Sequence, residues 1–205
     1  MGFDESDFFF DRVGRDAERK SMGLGRAEVL VGTFTRLVPN KGIERFIDSI
    51  AKIRDAGHGV RYLLVGGMGD AYEQDIILET SRAMGASLMT VRPFADHATL
   101  RRLMCACDIG IWNRPAITIQ ESMGTGMRVL LHRKPAVSHL LGHGTDEWVG
   151  EYFSEEGLEE VLMAAVKRME ARTEEERVLE RTRVAGQNLR HLGYSRIAMN
   201  LLNLE

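Results

Sequence analysis

Two cations five residues apart stand in the segment Thr33-Phe34-Thr35-Arg36-Leu37-Val38-Pro39-Asn40-Lys41-Gly42. Arg36 offers a planar fork of donors suited to a phosphate, and Lys41 offers a point charge. Lys41 falls at the expected start of a helix, where unpaired N–H groups and a partial positive charge favour anions. Together the two can hold a diphosphate; they would equally suit a solvated loop. A second segment, Val65-Gly66-Gly67-Met68-Gly69-Asp70, is a glycine-rich turn that permits close approach of a ligand. It is not the G-x-G-x-x-G of a dinucleotide fold, and as a tight turn it requires no ligand. Glu121 lies a few residues into a third segment that begins a helix. One carboxylate there can accept both hydroxyls of a ribose. It can also serve as an ordinary helix-dipole or salt-bridge carboxylate.

These residues need elements to position them, and the chain supplies an alternation. Glu28–Gly32, Tyr62–Val65, Leu88–Val91, Asp108–Trp112, Arg128–Leu131 and Trp148–Phe153 read as short buried strands. Between the first two, Ile43, Phe46, Ile47, Ile50 and Ile53 recur at helical spacing until Gly57 and Gly59 stop the run. Further helices are expected over 71–84, His97–Cys107, Thr118–Gly124 and Gly157–Arg168, with a last apolar helix from Tyr194. The charged stretch 169–183 reads as a solvated helix face. Strands alternating with helices predict an α/β fold, a doubly wound, mostly parallel, Rossmann-like sheet covered on both faces. Ligands of such sheets sit beyond the carboxyl ends of the strands, which singles out the loops 33–42, 66–70, 92–97 and 113–120.

Composition narrows the partners. The 205 residues are 44% hydrophobic and 28% charged with a net charge of -3, so no basic field exists to recruit nucleic acid or an anionic membrane. No apolar run is long enough for a transmembrane segment, and the acidic, aromatic start does not resemble a signal peptide. Cys105 and Cys107 cannot complete a metal site, are expected to pack as small residues at a helix end, and fit a reducing, cytoplasmic location. No acidic cluster suggests a metal ion, and no cofactor is expected.

Taken in order, these segments resemble the C-terminal, donor-binding domain of retaining GT-B glycosyltransferases of group 1 (family 4). The resemblance is carried by Arg36-Leu37-Val38-Pro39-Asn40-Lys41-Gly42, Leu63-Leu64-Val65-Gly66-Gly67, Leu103 through Trp112, Glu121-Ser122-Met123-Gly124-Thr125-Gly126-Met127-Arg128-Val129, and Tyr194-Ser195-Arg196-Ile197-Ala198. Residues 1–26, with Gly2-Phe3-Asp4 and Phe8–Phe10, resemble the linker between the two domains of that family, leaving 27–205 as the nucleotide-sugar-binding domain and no N-terminal acceptor domain. The resemblance implies that Arg36 and Lys41 act on the donor diphosphate and that Glu121 holds the ribose. It further implies a donor site completed by Thr35, Gly67, Asn113, Ile117 and Thr118, with Phe94 beside the base. Asn113 stands where the first Glu of the family's E-x7-E motif is expected, and Pro115 removes an N–H from the anion cradle. Thr118, near the helix start, can replace it through its hydroxyl and the adjacent N–H groups.

The implied chemistry is displacement of a nucleoside diphosphate, UDP or GDP, from an anomeric carbon with retention of configuration. The acceptor would be held by an N-terminal GT-B domain, in cis or on a partner subunit, and this chain alone would bind donor without transferring it. A surface built to face another domain also allows self-association. Asn113, Pro115 and Arg128 favour the alternative of a degenerate nucleotide-binding or regulatory module. An epimerase of the same architecture would need acid–base groups such as His97, His132, His139 or His143, which read as loop or surface histidines. An NAD-dependent oxidoreductase lacks its fingerprint.

Overall fold

The computed structural model describes residues 2–67, 70–85, 89–140 and 148–202. Six strands form one all-parallel sheet: β1 (Val29–Phe34), β2 (Val60–Gly67), β3 (Met89–Pro93), β4 (Ile109–Trp112), β5 (Arg128–His132) and β6 (Val149–Tyr152). The third expected strand therefore runs on to Pro93, and its expected first residue, Leu88, lies outside the described residues. The strand order is β3-β2-β1-β4-β5-β6. The chain winds outward from β1 to β3, returns, and winds outward again on the other side.

Eight α-helices occur among the described residues: α1 (Arg12–Ser21), α2 (Ile43–Asp55), α3 (Ala71–Met84), α4 (His97–Ala106), α5 (Ile117–Gly124), α6 (Glu155–Glu170), α7 (Glu174–Leu192) and α8 (Tyr194–Leu201). The period of two along each strand divides its side chains between two cores. Val29, Val31 and Leu64 join the α2 and α6 face, while Leu30, Leu63 and Val65 join the α4 and α5 face. Every residue of β1 and β4 is buried, which is why these strands read as unbroken apolar runs. Several helix starts are set by a side chain that accepts a first-turn N–H: Asp11, Asp96, Ser154 and Thr173, the last in a full capping box with Glu176.

The lead-in segment, described from residue 2, carries α1. Phe3 and Phe8 are buried, and α1 packs against α4. Its Arg15 and Arg19 reach the carboxylate of Asp108 at 2.6 and 2.9 Å, and the same carboxylate accepts the Leu30 N–H at 2.9 Å. Both guanidiniums also donate to the Ala106 carbonyl at the end of α4. The stretch 169–183 corrects the expectation of a solvated face. Arg177 and Arg181 on α7 are buried, Arg177 donating to the carbonyls of Met169 and Ala27, Arg181 to those of Met104, Cys107 and Thr125. A guanidinium satisfies several carbonyls that a helix end leaves without partners, and its charge opposes the negative end of the dipole. The two cysteines are buried and free; Cys107 lies so close to β1 that a Cβ on Gly32 would come within 2.5 Å of its sulfur.

Burial alone would favour a protonated Asp108, but Arg15, then Arg19 and Arg177, hold the carboxyl well below the usual carboxylate range. Removing one partner of such a pair strands the other charges. We predict that Asp108→Asn lowers stability by about 3–5 kcal/mol in urea unfolding. The contribution of the ionised group should be fully present above the unfolded carboxylate pKa of about 3.9 and be lost as pH falls toward the depressed folded value. An Asn variant as stable as the parent at neutral pH would show that the network is dispensable.

Candidate functional site

The winding direction reverses between β1 and β4, the point at which doubly wound sheets form a ligand crevice beyond the carboxyl ends of the strands. The loop after β1 carries Thr35 and Arg36, is anchored by the buried Leu37, and tightens into a 3₁₀ turn over Pro39–Lys41. Pro39 suits the first position of that turn, and Gly42 ends it at φ 67°, a left-handed conformation that favours glycine. Lys41 therefore sits in this turn, just ahead of α2, rather than within the helix itself. The loop after β4 carries Asn113, Arg114, Pro115 and Ala116. The loops touch: Arg114 Nε donates to the Asn40 carbonyl at 3.4 Å, and a Cβ on Gly42 would come within 2.9 Å of Asn113 Nδ2.

Three cations thus share the crevice. Burial lowers the Lys41 ammonium from its usual pKa, and Arg36 and Arg114 add to the effect. None of the three forms an ion pair among the described residues. The start of α5 faces the same loops. Its N-cap, Ala116, supplies no side-chain bond, so the first N–H groups of the helix remain available. Cations without counter-charges, next to an uncapped helix start, are suited to an anion. Arg114 was not among the residues singled out from the sequence; the signal is its place directly after a strand that borders the reversal.

Thr118 is in this crevice, but its hydroxyl is committed. It donates to the Phe34 carbonyl at 2.7 Å and accepts the Trp112 indole N–H at 3.1 Å, bracing α5 against the ends of β1 and β4. What Thr118 can offer an anion is its backbone N–H. Ile117, at the same helix start, is 43% exposed. Glu121 stands one turn further along, partly buried, and its carboxylate accepts no hydrogen bond among the described residues. Burial raises its pKa, His97 opposes that shift, and Asp7 reinforces it.

The remaining candidates lie further along the same sheet edge. Thr35 N–H donates to the Val65 carbonyl at 2.9 Å, and Gly66, at φ 128°, passes so close that any Cβ would overlap the Thr35 carbonyl. Gly67 backs onto the Glu73 carboxylate and is in register with Pro93, next to Phe94, which is 56% exposed. Met68 and Gly69 of the glycine-rich turn, and His143, lie outside the described residues. Asn113 also lines a cavity of about 320 Å³ beyond β5 and β6, with Arg45, His132, Tyr152 and Ser154. Among the described residues no three His, Cys, Asp or Glu side chains gather as a metal site, and no helix is long and apolar enough to cross a membrane.

No family model and no curated protein matches the sequence. Solved structures do match in shape. HepE of Anabaena, solved in complex with UDP and glucose, superposes with a TM-score of 0.76 at 20% identity, over 98% of this chain and 54% of that one. Sucrose-phosphate synthase from Thermosynechococcus elongatus gives 0.72 at 19% identity, over 99% and 50%. The C-terminal domain of a glycosyl transferase group 1 family protein, LpcC from Francisella tularensis, gives 0.72 at 13% identity, over 94% of this chain and 100% of that one. This is the fold of a GT-B C-terminal domain. The chain spans about half the length of HepE and of the synthase. In the GT-B frame, Arg36, Lys41, Asn113 and Arg114 come from the loops of the two strands that flank the reversal, and Glu121 from the helix that follows.

The bracing role of Thr118 has a measurable consequence. Thr118→Val keeps the shape, removes the bond to Phe34, and leaves the Trp112 indole with only its longer contact to Phe34 at 3.3 Å. We predict a stability loss of about 1–2 kcal/mol by chemical denaturation, with Thr118→Ser largely restoring it. A Val variant of unchanged stability would mean that the hydroxyl is free for a ligand.

Proposed function

We propose that this chain is the donor-binding unit of a glycosyltransferase, holding a nucleoside-diphosphate sugar, with UDP or GDP as the nucleotide, at the β1–β4 reversal. The observation that carries the reading is the cluster of Arg36, Lys41 and Arg114 beside the uncapped start of α5. In this reading the cations and the first N–H groups of α5 take the diphosphate. Glu121 accepts from the ribose hydroxyls, with Ile117 at the helix start beside it. Thr35 and Gly67 shape the floor, and the exposed Phe94 offers a face to the base. Asn113 reaches the sugar with an uncharged amide.

The chemistry is departure of the diphosphate from the anomeric carbon, with retention of configuration as the family resemblance implies. Negative charge grows on the leaving oxygen, and fixed cations and N–H dipoles already in place stabilise it without reorganising. The Lys41 ammonium, disfavoured by burial and then by Arg36 and Arg114, is stabilised by an arriving anion. HepE was solved with UDP and glucose, which supports the choice of nucleotide class. The acceptor and the other wall of the cleft would come from a second domain, in cis or on a partner subunit. A second reading, a regulatory module that binds the nucleotide without transfer, is favoured by Asn113, which weakens the sugar end, by Pro115, which removes an N–H from the anion cradle, and by Arg128.

Calorimetry with UDP and GDP tests the reading. We expect one of them to bind, and the double change Arg36→Ala with Lys41→Ala to weaken it by about 1.5–3 kcal/mol. Affinity unchanged by the double substitution would overturn the diphosphate assignment.

A further inference from the structure

The segment before α1 crosses the helix that carries Glu121. Phe3 pairs with the end of α7 through Phe3 N–H to Leu192 O at 2.9 Å and Tyr194 N–H to Phe3 O at 3.0 Å. Its ring lies over Gly124 of α5, where a Cβ would come within 2.6 Å of it and within 2.9 Å of the Phe8 carbonyl. Between these anchors stands Asp7. Its carbonyl accepts from Arg101 at 3.0 Å, and its carboxylate meets His97 Nδ1 at 2.7 Å. The Phe8 ring lies 5.3 Å from the imidazole, and the Arg101 guanidinium covers Phe9 at 4.3 Å. His97 is thus held at the start of α4 by the lead-in segment rather than left as a loose surface histidine.

The charges about this ring come from three elements. Asp4 and Asp7 of the lead-in and Glu121 of α5 act on His97, and His97 and Asp7 act on Glu121. Arg101, one turn along α4, is tied to this group through its bond to the Asp7 carbonyl. With Nδ1 engaged by Asp7, the imidazole keeps Nε2 without a hydrogen bond among the described residues, and the Glu121 carboxylate is likewise open. Phe8 links the two groups, its carbonyl against Gly124, one turn of α5 beyond Glu121, and its ring against His97. A donor and an acceptor on one side of a site suit a vicinal diol, since each hydroxyl both donates and accepts.

We propose that His97, held by Asp7, is a second ribose-binding group that acts with Glu121, so that the lead-in segment is part of the nucleotide site. The inference rests on the donor-site reading above. Asp7 is the positioning residue: it fixes which nitrogen is occupied and leaves Nε2–H to donate to a ribose oxygen while Glu121 accepts the hydroxyl protons. The pair with Asp7 raises the affinity of His97 for its second proton, first through the hydrogen bond and then, after the opposing effect of its slight burial, through charge. The donor form therefore persists above the ordinary imidazole range and is lost as pH rises through the raised value.

The test is calorimetry on the full chain with UDP and GDP, with the counterparts of each that lack both ribose hydroxyls, and with inorganic diphosphate. His97→Gln is the main variant, because the side chain is 63% exposed and its replacement leaves the core intact; Asp7→Asn is the second. Each should lower affinity for the ribose nucleotide about three- to tenfold, the effect of one hydrogen bond, and leave the deoxygenated counterpart and diphosphate unchanged. The preference of the parent for ribose should shrink from about pH 6 to about pH 9, and His97→Gln should remove that trend. If the parent prefers ribose and both variants keep the full preference, the inference is wrong while the donor site stands. If the parent binds neither nucleotide, the donor-site reading itself fails.

Discussion

At the amino end of β4 the Asp108 carboxylate accepts from Arg15, Arg19 and the Leu30 N–H, and this buried junction holds the molecule in register. It clamps β4 to β1 at one end, which is the pairing that makes the winding reverse. It binds α1 to the α4 side of the sheet, and through Glu174, which Arg15 also contacts at 2.8 Å, it holds the start of α7. Arg181 extends the same logic from α7 to the carboxyl ends of α4 and α5. The crevice depends on that junction, although no residue of the junction enters it.

The opposite end shows the complementary arrangement. Around Asp108, charges are buried and matched; around Lys41, cations are partly exposed and unmatched. Like charges gathered without counter-ions cost stability, and a local conflict of this kind marks a functional site more often than a structural one. The hydrogen bonds of Thr118 and the close contact of Gly42 with Asn113 keep the two loops in place despite the repulsion. The site is thus held ready by neutral contacts and left electrostatically unsatisfied.

Much of this was legible in the sequence because it follows from periodicity. The 3.6-residue spacing of Ile43, Phe46, Ile47, Ile50 and Ile53 and the apolar runs of β1, β2 and β4 correspond to helix and strands in the structure. An α/β alternation confines ligands to the carboxyl edge, which singled out the loops that carry Arg36, Lys41 and Asn113. The buried arginines were not legible. A guanidinium that serves carbonyls at a helix end is written in the same letters as one in water, so 169–183 reads as a solvated face. Nor does sequence spacing show whether the Thr118 hydroxyl faces a ligand or the Phe34 carbonyl. The coupling of Asp7 to His97 joins residues 90 positions apart, and only the path of the lead-in over α5 brings them together.

A crystal structure of the chain soaked with UDP or GDP would locate the nucleotide. The diphosphate should lie between the Arg36–Lys41 loop, Arg114 and the start of α5, with the ribose against Glu121. A nucleotide seated instead in the cavity bounded by His132 and Tyr152, with the three cations untouched, would contradict it.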